Sequence, residues 1–420
     1  MRSVVVRRPV SLGTAILLVC ALVAFRPPAA VAAAWTAVDT VSGSGLAASI
    51  ETWEATPVDY DRDGDQDVWV GYHDQGGKLW RNDGRGVYTQ AYAWPRRNTE
   101  GRIPDRHDCD WADVDRNGLP DAYCAAGRSG NNLVKTGQDN ELWLQKPAGQ
   151  FTDVGTAWGI GDVCGRSHYV AFLDANHDPW PDLFVGNATP RDVADPCDDP
   201  ANGLPDEEMK IYVNDNGTGF TQRRNWGIAG FGGVRFAEVA DYNRDSWDDL
   251  LVSFSGGLIL YRNNGGTGFS NVSSATGLTG SPSDAVFGDL DRDGDADLVT
   301  GQGRRVEYRL NNGTRFLAPV RAYAVPQGGG ARAVSVGDAD GDGDLDIYAL
   351  VSNLTAGTNP RDVVLRNTSL QFTAVPVPTA GGIGDAVTTL DGNGDGRAEF
   401  LVLNGVETSG PIQRIELRFQ

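Results

Sequence analysis

Val286-Phe287-Gly288-Asp289-Leu290-Asp291-Arg292-Asp293-Gly294-Asp295-Ala296-Asp297-Leu298-Val299-Thr300 decides how this chain is built. Two strand-like runs enclose nine residues crowded with aspartate. In this copy Asp289, Asp291, Asp293 and Asp297 hold positions 1, 3, 5 and 9, and Gly294 holds position 6. The same positions recur as Asp59, Asp61, Asp63, Asp67; Asp113, Asp115, Asn117, Asp121; Asp174, Asn176, Asp178, Asp182; Asp241, Asn243, Asp245, Asp249; Asp338, Asp340, Asp342, Asp346; and Asp391, Asn393, Asp395, Glu399. Successive copies lie 54, 61, 67, 48, 49 and 53 residues apart, a periodicity that marks a repeat architecture.

Each copy sits in a unit of similar grammar. A run such as Leu79-Trp80-Arg81-Asn82 or Leu260-Tyr261-Arg262-Asn263 follows as a third strand. A Gly-rich turn then leads to a fourth strand opened by an aromatic residue: Tyr88, Phe151, Phe220, Phe269, Phe316 and Phe372. Four short strands repeated seven times predict an all-β fold, a single seven-bladed β-propeller. The seventh unit ends after its third strand, and Trp35-Thr36-Ala37-Val38 looks like Phe151-Thr152-Asp153-Val154. The N-terminal segment is therefore expected to complete the last blade and close the ring, with residues 35–420 as one domain.

Residues 1–34 read as a signal peptide. Arg2, Arg7 and Arg8 precede an apolar run from Leu12 to Phe25, and small-x-small cleavage sites follow at Ala30-Val31-Ala32 and Ala32-Ala33-Ala34. The run is too short for a membrane span, which needs about 20 residues. Secretion without a span after signal removal is the expectation. Removing this segment, with four arginines and no acid, takes the net charge from −20 to −24. Such acidity argues against a nucleic acid partner. Of the five cysteines, Cys20 leaves with the signal. The remaining Cys109, Cys124, Cys164 and Cys197 allow two disulfides in an oxidising compartment, with Cys109–Cys124 and Cys164–Cys197 favoured by the repeat map.

Positions 1, 3, 5 and 9 together supply 24 carboxylates, which would repel one another unless a hard cation joined them. Oxygen-only donors suit calcium, which takes six to eight of them. A glycine at position 6 permits a sharp turn with positive φ. Pro179 and Ser246 replace it in blades 3 and 4 and weaken the case there. The competing reading is a set of solvated acidic turns. At position 12, where an EF-hand would place a glutamate, residues such as Val70, Val185 and Thr300 continue a strand.

The run from Phe287 to Val299, with its six relatives, resembles the FG-GAP/VCBS repeat, also found in integrin-α propellers. The resemblance spans essentially the whole chain after residue 34. It implies a propeller whose calcium loops join the first and second strands of each blade on one face. It implies little about function, because a fold does not fix one.

On the opposite face the segments Arg96–Arg106, Arg128–Asn140 and Asn187–Glu208 are long insertions, of the kind that carry function or mere decoration. By pseudo-symmetry Trp53, His107, His168, Arg235, Ser283, Arg332 and Asp385 stand six residues before their motifs, so they should ring the channel mouth. With His73 in the first inserted loop, Trp53, His107, His168, Arg235, Arg332 and Asp385 are the ligand-binding candidates. His177, inside an acidic loop, reads as a solvated residue. Catalytic candidates are His107, His168, Tyr169, Arg106 and Arg235. No nucleophile elbow, metalloprotease or phosphate-loop motif occurs. Two functions fit: a monomeric binding protein for an extracellular glycan, cell-surface polymer or protein, or a polysaccharide lyase using His and Arg at the mouth.

Overall fold

The computed structural model describes residues 35–46, 49–72, 76–95, 105–127, 139–162, 167–187, 208–228, 233–254, 257–352, 360–378, 384, 386–405 and 410–419. His73, Asp385, Cys164 and Cys197 lie outside them, as does most of each long insertion.

The described strands form seven antiparallel sheets arranged as a seven-bladed β-propeller, as the repeat predicts. Blade 1 shows the pattern: Thr52–Val58, Asp67–Tyr72, Lys78–Asn82 and Tyr88–Ala93, each paired with the next. The first strands of the other blades are Asp105–Ala112, Ser167–Leu173, Phe236–Ala240, Asp284–Gly288, Gly330–Gly337 and Ala386–Leu390. Second strands have apolar centres, as in Val68, Trp69 and Val70 or Leu250, Leu251 and Val252, because a neighbouring blade covers each of their faces. The core therefore lies between blades: Tyr123 and Leu142 of blade 2 pack against Val170, Leu183 and Tyr212 of blade 3.

The last blade is closed by the N-terminal strand. Trp35–Asp39 pairs antiparallel with Gly410–Phe419, from Trp35 against Phe419 to Asp39 against Ile415. Blade 5 differs from the sequence reading: its fourth strand is Val320–Ala324, and Phe316 makes only an isolated bridge to Asn311. Pro319 lacks the N–H a ladder needs, so pairing resumes one residue later.

Side chains at the end of the third strands lock neighbouring blades. Asn82 Nδ2 donates to Gly392 O across the closure, at 2.8 Å, and Asn263 Nδ2 donates to Ala175 O at 3.1 Å. Gln145, Asn214, Asn311 and Asn367 make the equivalent bond to Tyr60, Val114, Tyr242 and Leu290. Cys109 and Cys124, opposed on the first two strands of blade 2, form a disulfide. No described helix is long and apolar enough to cross a membrane.

Candidate functional site

Two sites lie at opposite ends of the first strands. At the end leading into the second strand are the acidic loops. Among the described residues, carboxylate triples with oxygens gathered within 4.8 Å occur in blades 1, 2, 4, 5 and 6. Backbone donors shape each loop: the position 6 N–H reaches the position 1 carboxylate, from Gly118 to Asp113 at 2.8 Å and from Gly294 to Asp289 at 2.9 Å. That N–H points inward because the residue takes positive φ, 93° at Gly118 and 86° at Gly294. Ser246 accepts the same conformation at 70° and bonds Asp241 at 2.7 Å, so blade 4 gathers its carboxylates despite the missing glycine. Pro179 has no N–H to give, and blade 3 is not among the gathered loops. Blade 7, with Asn393 at position 3 and the longer Glu399 at position 9, is not among them either.

Position 9 carries a second duty. Asp297 receives the N–H of Leu290 on one oxygen, at 2.9 Å, and of Asn311 on the other, at 2.7 Å. Burial pushes its carboxyl up to about 6, and those of Asp67, Asp121, Asp182, Asp249 and Asp346 up to about 7. These loops fit a cation. Asp59 Oδ1 and Asp61 Oδ1 are shut off from solvent with no hydrogen-bond partner, though Arg81 salts Asp61 and Asp63 through other oxygens, at 2.7 and 2.6 Å.

At the other end is the channel. A cavity of about 1090 Å³ is lined by the first strands of all seven blades. Trp53, His168, Arg235, Ser283 and Arg332 share its wall. His107, buried, sits between two rings: it stacks on Trp53 with centroids 4.3 Å apart and meets His168 at a tilt of 59°, with centroids 4.1 Å apart. A bulge puts these side chains there. The pairing slips by one residue at Trp53 and Glu54, at His107, at His168 and at Arg332. An extra residue in a strand re-aims its side chain. Gly127 makes room for the His107 ring, because a Cβ there would stand 2.6 Å from Nε2.

The remaining candidates divide. Tyr169 lines the cavity and packs between blades 3 and 4. Arg235 reaches Ser281 Oγ at 3.4 Å. Arg106 is removed from the candidate site: it is fully buried, and its Nε and Nη2 bind Glu141 at 2.5 and 2.9 Å while Pro95 O takes further donors. His177 is exposed in its acidic loop, and its ring lies flat on Trp247 with centroids 3.5 Å apart.

Sequence reasoning missed the channel carboxylates. Asp108, Asp110 and Asp284 receive the N–H groups of Val170, Phe172 and Val334 in the following blade, at 2.9, 2.7 and 2.9 Å. An innermost strand has an unpaired edge, and these acids satisfy it. Glu238 shares the cavity with them. Burial, then the charges of Asp284, Asp108 and Asp110, push its carboxyl up to about 8, and burial lifts Asp108 and Asp284 to about 7. The signal available was an acid three or five residues before the motif, on the first strand of its blade.

The FG-GAP-like repeat profile matches residues 59–124, 241–300 and 289–349. The chain carries FG-GAP-like repeats. The blades whose acidic loops fall in the matched segments are 1, 2, 4, 5 and 6, the same five whose carboxylates converge. No curated protein matches the chain. Among solved structures the chain is similar to an Agrocybe aegerita lectin, described by its specific recognition of non-reducing terminal N-acetylglucosamine, at 16% identity and a TM-score of 0.52, covering 78% of this chain and 80% of that one. It is also similar to BBS1N in complex with ARL6DN, at 12% identity, with TM-scores of 0.52 and 0.54 in two structures. Those two cover 91% and 92% of this chain and 97% of theirs. At these identities the likeness concerns the fold.

Proposed function

We propose that the mature chain is a secreted, calcium-stabilised propeller that binds an extracellular ligand, foremost a glycan, at the mouth of its central channel. The observation that carries this reading is the row of rings in which Trp53 stacks on His107 and His107 meets His168 at a tilt, beside a cavity that also receives Arg235 and Arg332. A flat aromatic face takes the apolar face of a sugar ring, and a guanidinium fork takes its carboxylate or hydroxyl oxygens. The similar Agrocybe aegerita lectin, described by its recognition of non-reducing terminal N-acetylglucosamine, lends support. The acidic loops would hold calcium through Asp59, Asp61, Asp63 and Asp67 and their counterparts, and calcium, when bound, cancels their mutual repulsion. The leader at residues 1–34 and the Cys109–Cys124 bridge agree with export.

The test is retention of polysaccharides by mature protein in millimolar calcium. Trp53→Ala and His168→Ala should each weaken binding about tenfold, roughly 1.4 kcal/mol. Undiminished binding in both variants removes the mouth from the reading, and no retention of any polymer turns the search to protein ligands. A chelator should lower the melting temperature, and an unchanged melt would remove calcium.

Two neighbouring imidazoles, of which His168 lines the cavity that also holds Arg235 and Arg332, favour a second reading, a polysaccharide lyase. An arginine would neutralise a uronate carboxylate while one imidazole takes the proton from the adjoining carbon. The carbon–oxygen bond to the next sugar breaks as a carbon–carbon double bond forms, and the departing oxygen takes a proton from the second imidazole. Shortened polymer with new ultraviolet absorbance supports this reading, and polymer recovered intact excludes it.

A further inference from the structure

Five of the seven acidic loops carry a residue other than glycine at position 4: Arg62, Arg116, His177, Arg244 and Arg292. All five are in the left-handed region, with φ of 62°, 54°, 60°, 58° and 62°. A residue with a Cβ adopts that conformation at a cost, so its recurrence at one position asks for a compensating contact. Each side chain has one, and in each case it lies on the loop of the following blade. Arg62 Nε donates to Gly118 O at 3.1 Å. Arg116 stands over the Trp180 ring, 5.4 Å from its centroid. His177 stacks on Trp247 and its Nε2 meets Ser246 O at 2.5 Å. Arg244 donates to Gly294 O at 3.0 Å and Asp293 O at 2.5 Å, and pairs with Asp295 at 2.8 Å. Arg292 repeats this on Gly343 O, Asp342 O and Asp344, at 2.9, 2.5 and 3.0 Å.

The contacted positions are always 5, 6 or 7 of the next loop, the half that turns the chain back toward its own carboxylates. Position 4 itself lies between the acids or amides at positions 3 and 5. An ion that fixes positions 3 and 5 of one loop therefore also fixes the clasp, and the clasp orders the turn of the next loop. The second ion then meets a loop whose ordering is already done, which is positive coupling without any large movement. The clasps run from blade 1 to blade 6. Gly341 and Gly394 at position 4 of blades 6 and 7 have no side chain to continue them.

We propose that the acidic loops fill with calcium cooperatively, coupled from blade to blade by the position 4 clasps. The proposal rests on the calcium reading above. The experiment is native mass spectrometry of the chelator-stripped full protein, titrated with calcium to half saturation. Coupling predicts two dominant populations, ion-free and loaded, with intermediates depleted at least fivefold below a binomial distribution. Arg244→Ala with Arg292→Ala should restore the intermediates. A binomial distribution in the parent protein overturns the coupling while leaving calcium binding intact. Absence of any bound calcium overturns the calcium reading itself. Depleted intermediates persisting in a folded double variant overturn the assignment to the arginines. Should the double variant fail to fold, Arg244→Lys and Arg292→Lys keep the charge and lose the fork, and the same two outcomes decide.

Discussion

Arg106 and His107 are neighbours in the chain and end in opposite surroundings. The arginine is sealed against Glu141, while the histidine joins a row of rings at the channel mouth. The slip in pairing between them separates their fates. Removing one partner of a buried ion pair leaves the other charged and alone, at a cost of about 3–5 kcal/mol. Arg106→Ala should lower unfolding free energy by that order in urea melts, whereas a stability unchanged within error would mean Glu141 is otherwise satisfied. Glu238 offers a pH test. Its carboxyl is held up near 8 in the fold against an ordinary 4.5, so between those values the folded state binds the extra proton. Its stabilising share is complete at low pH and is lost as pH rises toward 8. In saturating calcium, Glu238→Gln should gain stability over the parent progressively from pH 5 to pH 8, and a constant difference would contradict the raised value. The placement of Trp53, His168, Arg235, Ser283 and Arg332 on the channel wall followed from their spacing to the motifs. The bulge was not legible, because no residue type announces it, and without it strand alternation would point those side chains elsewhere.

For the loop as an element, the aspartates at positions 1 and 9 look alike in sequence and do different work. Asp289 shapes the turn through the N–H groups of Asp293 and Gly294. Asp297, buried, staples the loop to the third strand through Leu290 and Asn311. Orphaning a buried N–H costs about 1–3 kcal/mol. Asp297→Ala should therefore destabilise even chelator-treated protein by about 2–5 kcal/mol, whereas Asp289→Ala should act mainly in calcium. Equal losses in both conditions for both variants would show the distinction to be wrong. Position 9 was legible as an oxygen donor, but its staple was not, since the Asn311 N–H arrives from a strand some 14 residues away. Pro179 was readable in advance, because a missing N–H and a fixed φ are properties of the residue itself. Position 4 was not, because Arg292 looks like any solvent-facing arginine until the next blade stands beside it.

Across the whole molecule, strand grammar and blade count were legible because each repeat states them again, seven times over. The carboxylates on the channel wall were not, because their partners are N–H groups of another blade, brought near only by ring closure. Deleting Trp35–Asp39 should strip the third strand of the last blade of its partner and expose an edge. The shortened protein is expected to melt lower and to associate during size-exclusion chromatography, and a monomer with the parent's melting temperature would show that the ring closes without it.

The closing pair also has a mechanical side. Trp35 stands opposite Phe419, so the two ends of the folded chain leave the same rung of the same ladder. Tension applied between them opens that ladder like a zip, one rung after another, instead of loading its five rungs together in shear. A force probe pulling on both ends should find this ring yielding at its seam first and softly, with each opened blade exposing the next.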